Sequence, residues 1–130
     1  MWGLAQTKYY SDGGAASNAT VDQIVDALNA SSYNPANVAQ TVTIHSIAVT
    51  FGLEHTSYEG GAGVASLGDL TNLGNRILAN RSPRMRQIVA NDIYDNWFAY
   101  GGSLYNYFTV TGQYSRYVER MRGGERERAR

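Results

Sequence analysis

The residues that decide the fold are LEHTSYEGG, which run from Leu53 to Gly61. Residues 53–59 predict a strand, and the pair of glycines that follows is expected to close it. Glu59 would then stand at the C-terminal end of a strand, beside two residues without side chains to cover it. Parallel sheets of barrel type carry their catalytic groups at this end of the strands. Glu59 is therefore the first candidate for a catalytic carboxylate.

The segments before this strand predict one more strand and two helices. Residues 3–10 are expected to form the strand, and apolar residues at helical spacing predict a helix over about 21–30. A second helix is expected to begin at Pro35 and to end at Gly52. This second segment is rich in β-branched residues, so a strand over 41–51 is the alternative.

The segments after this strand repeat the same order. Asp69 and the pair Ser82-Pro83 are expected to begin two helices, of which the second reaches Gly101, and residues 103–111 alternate as a strand. Strands that are separated by helices imply crossover connections and a parallel sheet. The predicted fold is therefore α/β, with three parallel strands and four helices in the order β-αα-β-αα-β, a partial (β/α) barrel.

The length of the chain limits this architecture. Its 130 residues suffice for one domain, whereas a complete eight-stranded barrel takes roughly 200 residues or more. The partial barrel is expected over residues 1–115, and residues 116–130, rich in Arg and Glu, are expected to be a solvated or disordered tail. No leader or membrane-spanning run is visible, and no compartment is indicated.

Composition narrows the chemistry that the chain can perform. The absence of Cys excludes disulfides and Cys-ligated metals, and two His leave few ligands, so no metal and no cofactor are expected. Eleven basic residues balance eleven acidic ones, although the arginines concentrate in the second half of the chain. Their surplus is scattered and the tail lacks interleaved aromatics, so nucleic acid is not expected as a partner.

The strand around Glu59 resembles the nucleophile strand of retaining glycoside hydrolases of the clan A superfamily of TIM barrels. It most resembles a bacterial group of glycosidase-like barrel proteins that carry a Tyr-Glu-Gly-Gly motif, here residues 58–61. The likeness covers roughly residues 3–117. Upstream, Tyr9-Tyr10 with Gly13-Gly14 resemble the preceding strand of that group. Downstream, the segment Asn80-Arg81-Ser82-Pro83-Arg84-Met85 resembles the start of the next helix. Trp97 with Gly101–Phe108 resemble the last strand.

The resemblance implies that Glu59 is the nucleophile and that Tyr9 or Tyr10 hydrogen-bonds it. Retaining hydrolysis needs a second carboxyl group about 5 Å away, as the acid/base. In that superfamily this group lies in an Asn-Glu pair on an earlier strand, and no such pair occurs in this chain. Asp12, Glu54 or a neighbouring copy are the candidates for the missing carboxylate. A turn-forming role before a glycine is the alternative for Asp12.

Aromatic and polar side chains on the strands are candidate sugar contacts. Tyr105 and Tyr107 are either a stacking platform for sugars or one face of a sheet that needs a partner. Alternation along the middle strand predicts one face with Leu53, His55, Ser57 and Glu59, and another with Glu54, Thr56 and Tyr58. The candidate substrate-binding residues are Tyr9, Tyr10, His55, Tyr58, Tyr105 and Tyr107.

The function implied by the resemblance is a glycoside hydrolase-type protein that cleaves a β-linked poly- or oligosaccharide. The alternative is a non-catalytic carbohydrate-binding or scaffold remnant of a barrel glycosidase. A partial barrel leaves open sheet edges. A homo-oligomer, in which copies complete a barrel-like or stacked core, is therefore expected.

Overall fold

The sheet has three parallel strands, as the sequence predicts. A computed structural model of the chain describes residues 2–14, 16–64 and 71–108. The strands are β1 (Gly3–Ser11), β2 (Glu54–Gly63) and β3 (Tyr105–Tyr107), and β2 lies between the other two. Both neighbouring pairs are parallel.

Helices fill both crossovers and give the predicted order β-αα-β-αα-β. The described residues contain α1 (Val21–Ser32), α2 (Pro35–Thr50), α3 (Leu73–Asn80) and α4 (Met85–Tyr94), followed by a short 3-10 helix, Phe98–Tyr100. The helical prediction for α2 is confirmed over its strand alternative. The fold is α/β, with the element order of a partial (β/α) barrel.

Local capping explains where the first two helices begin. The Thr20 hydroxyl accepts from the Gln23 amide, and the Gln23 side chain accepts from the Thr20 amide, so both form a capping box for α1. The Asn34 side chain accepts from the Ala36 amide in front of Pro35, the first residue of α2.

The second crossover differs in detail from the prediction. The cap predicted at Asp69 lies outside the described residues, and α3 begins at Leu73, after Asn72 in the left-handed region. Helix α4 ends at Tyr94, well before the predicted Gly101, because the chain turns there into the 3-10 helix. The end of the third predicted strand and the tail 116–130 also lie outside the described residues.

The helices pack on one face of the sheet. Along β1 the residues Gln6, Lys8 and Tyr10 are buried and alternate with exposed ones. Tyr10 joins the main hydrophobic core, whose other buried members are Ile24, Val25, Leu28, Val64, Ala79, Met85 and Ile88. We call this side of the sheet the packed face. The side that carries Ala5, Thr7, Tyr9 and Ser11, and the residues of β2 that pair with them, is the open face.

A bulge in β2 divides its residues between these two faces. Gln6 pairs with Ser57, whereas the next residue, Thr7, pairs with Glu59, so Tyr58 is an extra residue on β2. Paired residues in neighbouring strands point to the same side. Ser57 therefore lies on the packed face with Gln6, and Glu59 lies on the open face with Thr7.

Two predictions for β2 are wrong because of this geometry. Glu59 does not share a face with His55 and Ser57, since the extra residue reverses the alternation between them. The strand does not end at Glu59 either, because Gly60 and Gly61 continue it as far as Gly63.

Gly60 of β2 leaves room for a side chain of the neighbouring strand β3. A Cβ atom at Gly60 would overlap the Lys8 carbonyl oxygen and the Tyr105 hydroxyl, whereas one at Gly63 would meet nothing nearer than the Tyr10 carbonyl oxygen, at 3.5 Å. The lack of a side chain at Gly60 is therefore what admits the Tyr105 ring.

Replacing Gly60 by Ala is expected to lower the free energy of unfolding by about 1–3 kcal/mol, the usual range for overpacking. Gly63→Ala is the matched control, because its added methyl group makes only ordinary contacts. Urea denaturation measures both. Equal losses in the two variants would contradict the close approach of Tyr105 to Gly60.

Candidate functional site

Glu59 occupies the open face near the middle of the sheet. Its side chain is half-buried, and Tyr58 beside it is 57% exposed. The paired residue on β1 is Thr7, and Tyr9, 37% exposed, pairs with Gly61 two residues further along. A carboxylate, a hydroxyl and aromatic rings that are open to solvent are the groups that carbohydrate sites use for hydrogen bonding and stacking.

Glu54 lies on the same face as Glu59 but far from it. Glu54 pairs with Gly3, and Glu59 pairs with Thr7, four residues later on β1. At the usual rise of a strand this separates them by about 13 Å. The two carboxylates that cooperate in retaining hydrolysis are about 5 Å apart. Glu54 is therefore not placed to act with Glu59 within one copy.

Asp12 is held on the packed side by a buried arginine. Its Oδ2 atom accepts from Arg76 Nε at 2.8 Å, and both residues are buried. Its Oδ1 atom accepts from the Gly14 amide at 3.2 Å, which fits the turn-forming role. The carboxylate thus binds α3 to the end of β1 and does not lie beside Glu59.

The two neighbouring tyrosines of β1 point in opposite directions. Tyr10 is buried in the hydrophobic core, and burial raises the pKa of its hydroxyl, with Tyr107 and Asp92 adding to the rise. Tyr9 is on the open face with Glu59. Of the two, only Tyr9 is on the side where it can contact Glu59 or a ligand bound there.

The packed face holds a buried cluster that the sequence analysis missed. Lys8 Nζ donates to Asp92 Oδ1 at 3.3 Å, and the Tyr105 hydroxyl contacts Asp92 Oδ2 at 2.7 Å and the Lys8 carbonyl oxygen at 3.1 Å. We call Lys8, Asp92 and Tyr105 the Lys8 cluster. It joins β1, α4 and β3 across the middle strand.

Burial dominates the electrostatics of the Lys8 cluster. It raises the pKa of Asp92, and the Lys8 ammonium and the Tyr105 hydroxyl oppose this rise. Burial also raises the pKa of Tyr105, and the Asp92 carboxylate adds to that effect. Lys8 and Asp92 are 4% and 1% exposed, so the cluster is closed to a substrate. Its chemistry is structural, a buried ion pair that is completed by hydrogen bonds.

Two signals in the sequence could have revealed these buried ions. Alternation along β1 places Gln6, Lys8, Tyr10 and then Asp12 on one side. On α4, Asp92 follows Ile88 by four residues, within the buried stripe of that helix.

The third strand places its tyrosines close to the packed face. The Tyr105 ring meets Trp97 edge-on, with centroids 5.6 Å apart, and its hydroxyl belongs to the Lys8 cluster. The Tyr107 ring lies against Gly61, and Tyr107 also raises the pKa of buried Tyr10. Both rings are half-buried and serve packing, and neither forms an exposed platform.

His55 is also remote from Glu59. It is 2% exposed and its ring lies, tilted, between His45 of α2, at a centroid distance of 5.9 Å, and Trp97, at 4.5 Å. Burial lowers its pKa, and neighbouring His45 lowers it further. His55 is therefore a neutral, packed residue that lies on the opposite face from the candidate sugar site.

Comparison with known proteins does not assign this chain to a family. No family model, curated protein or solved structure matches it. The glycosidase resemblance therefore rests on the motif residues alone. Among the described residues, no helix is long and apolar enough to cross a bilayer, and no three His, Cys, Asp or Glu side chains are grouped so as to hold a metal ion.

Replacing Lys8 by Met leaves the buried Asp92 carboxylate without its cation. The free energy of unfolding is expected to fall by about 3–5 kcal/mol, the usual cost of breaking a buried pair. The double variant Lys8→Met/Asp92→Leu should recover part of that loss, because neither charge then stays buried. Urea denaturation of the wild type, the two single variants Lys8→Met and Asp92→Leu, and the double variant measures these free energies of unfolding.

Arg84→Met is the control for that cycle. Arg84 forms exposed ion pairs with Asp22 and Asp26, so its loss is expected to leave stability nearly unchanged. A double variant as unstable as the summed single variants would contradict a buried, charged Lys8–Asp92 pair.

Proposed function

We propose that the chain is a glycoside hydrolase-type protein that binds a β-linked poly- or oligosaccharide on the open face, with Glu59 as its nucleophile. The supporting observation is the bulge at Tyr58, which turns the Glu59 carboxylate away from the packed face. Without the bulge, alternation would direct Glu59 among the helices. With it, Glu59 lies beside Thr7 and on the same side as Tyr9.

The chemistry would follow the two-step retaining route. A Glu59 oxygen attacks the anomeric carbon while the glycosidic bond breaks and an acid protonates the departing oxygen. Water, deprotonated by the same group, then attacks the anomeric carbon, releases the sugar and restores the Glu59 carboxylate. Both steps need a second carboxyl group near Glu59. Asp12 is bound to Arg76, and Glu54 lies too far along the strand.

We propose that a second copy of the chain supplies this carboxyl group. The outer edge of β1 supports association, since no described strand pairs with it. This edge is nine residues long, has no Pro, and its single charged side chain, Lys8, is buried in an ion pair. Natural edge strands are usually protected by exposed charges, Pro or bulges. β1 has no exposed charge, Pro or bulge of its own along this edge, and its one charged side chain points inward to Asp92.

The second candidate function is carbohydrate binding without catalysis. The positions of the other described acidic residues favour this candidate, because none of them lies beside Glu59 within one copy. Two have been located above, and the remaining ones, Asp22, Asp26, Asp92 and Asp95, lie on helices or at a helix end. A remnant of this kind would keep the open face and the exposed tyrosines.

Replacing Glu59 by Gln is expected to lower the rate of hydrolysis of soluble β-linked glycans by several orders of magnitude, because an amide cannot form the glycosyl intermediate. Reducing-sugar release measures this. Asp26→Asn is the matched control, since it changes a carboxyl group to an amide at an exposed position of α1. Wild-type rates in Glu59→Gln would refute the nucleophile.

Calorimetry with the same glycans separates the two candidates. Binding without turnover, weakened about tenfold or more in Glu59→Gln by the lost charged hydrogen bond, would support the non-catalytic protein. Absence of both heat and turnover across β-linked glycans would contradict both candidates.

Association through β1 predicts an oligomer at micromolar concentration. Ala5→Lys adds a charge on the exposed part of this strand and is expected to shift the protein towards monomer, as Lys does on natural edges. Gln40→Lys, on the exposed part of α2, is the control. Light scattering after size exclusion measures the mass. A monomeric wild type would contradict the proposed second copy.

A further inference from the structure

Two histidines and a tryptophan meet where α2 packs against the sheet. His45 comes from α2, His55 from β2, and Trp97 from the turn before the 3-10 helix. The imidazole centroids are 5.9 Å apart, and the centroid of the Trp97 ring lies 4.5 Å from that of His55. Trp97 is completely buried and His55 is nearly so. None of the three contributes to the proposed sugar site, because this cluster lies on the packed face.

Four of the five ring nitrogens of this cluster lack hydrogen-bond partners. Both ring nitrogens of His55, Nδ1 of His45 and Nε1 of Trp97 are buried and make no hydrogen bond. A neutral imidazole has one donor and one acceptor nitrogen, whereas a protonated imidazole has two donors and a positive charge. Protonation of His55 would therefore bury a positive charge without a counter-ion and a second N–H donor without an acceptor.

The neighbouring charged groups do not compensate such a proton. Glu54 adjoins His55 along β2 but is exposed on the open face, and Asp95 is exposed at the end of α4. Beyond Trp97, on the side of β3 and β1, the Asp92 carboxylate is occupied by Tyr105 and Lys8. From α2, the only titratable side chain is His45 itself, which would repel a charged His55.

Helix α2 buries few of its residues completely. Only Thr41 and Ala48 are buried among its sixteen residues, whereas the shorter α1 buries Ile24, Val25, Leu28 and Ser32. The His45 ring also lies over Gly101, where a Cβ atom would overlap it. The contacts of His45 with His55 of β2 and with Gly101 after α4 are therefore part of what holds α2 on the sheet.

We propose that the contact between His45 and His55 is an acid-sensitive latch, which holds α2 against β2 and the Trp97 turn while the buried His55 imidazole is neutral and releases the helix when that imidazole is protonated. The rest of the core does not involve this pair. Release is thus expected as a local opening of α2, with α1, α3 and α4 still packed on Tyr10.

The direction of the pH effect depends on which form of the protein, closed or open, binds the proton more tightly. Burial and neighbouring His45 lower the pKa of His55 in the closed form, whereas a solvent-exposed histidine titrates near about 6.5. The open form therefore binds more protons at mildly acidic pH. The closed form is fully favoured above about pH 6.5. Below that pH, the population ratio of the open to the closed form rises about tenfold for each unit by which the pH falls and for each proton taken up. The rise ends when the pH reaches the lower pKa of the closed form.

Trp97 provides a direct probe of the latch. The chain has two tryptophans, and Trp2 is 69% exposed, so Trp2→Phe leaves Trp97 as the only tryptophan, whose emission is excited selectively over that of the tyrosines. Between pH 7.5 and 5.0 its emission is expected to move reversibly to longer wavelength as α2 leaves. In the same background His45→Gln and His55→Gln should each reduce this shift, whereas Asp95→Asn, the control for a nearby acid, should not.

Hydrogen exchange of the wild-type chain tests whether the opening is local. The ratio of α2 to α1 exchange within one sample cancels the intrinsic effect of pH on exchange. We expect this ratio to rise by up to about tenfold on going from pH 7.5 to 5.5, the limit for uptake of one proton by a group that titrates near 6.5 in the open form. A constant Trp97 emission, an unchanged shift in both histidine variants, or simultaneous loss of α1 and α2 protection would overturn the latch. The exchange result stands even where a histidine variant fails to fold.

Discussion

The buried Lys8–Asp92 pair is the interaction on which much of this small domain depends. It joins the first strand to the last helix before the third strand, and the Tyr105 hydroxyl extends it to β3. Buried charges are tolerated only when they are paired and hydrogen-bonded. The three strands must therefore approach closely enough for one tyrosine to span the middle strand. That requirement explains Gly60, where any side chain would stand in the path of Tyr105.

The packed face of the sheet is unusually polar, and this shapes the rest of the molecule. Strands covered by helices are usually runs of aliphatic residues. Here β1 buries Gln6 and Lys8, β2 buries His55 and Ser57, and only Tyr10 enters the main hydrophobic core. Each buried polar group then requires a hydrogen-bond partner. Lys8 has its partner in Asp92 of α4, and Asp12, just after β1, has its partner in Arg76 of α3, whereas neither ring nitrogen of His55 has one. His55, whose ring nitrogens lack hydrogen-bond partners, lies against His45 of α2, a helix with only Thr41 and Ala48 buried.

The bulge at Tyr58 separates this structural chemistry from the candidate functional chemistry. Before it, the sequence of β2 directs His55 and Ser57 to the helices, and after it Glu59 points to the open face. The proposed nucleophile and the proposed acid-sensitive latch are therefore on one strand but on opposite faces of the sheet. A substitution in the latch therefore does not contact Glu59, and a substitution of Glu59 does not contact the latch.

The sequence by itself determined the order of elements, the parallel sheet and the capped starts of α1 and α2, because hydrophobic spacing and capping are local properties. Only the tertiary structure decided which face Glu59 takes, since a single extra residue in the pairing of β1 with β2 reverses every side chain beyond it. Tertiary contacts also decided that Asp12 binds Arg76 and that Tyr105 turns inward to Asp92. These partners are 64 and 13 residues apart in the chain. Their pairing depends on the free energy of burying charge, which no local pattern expresses.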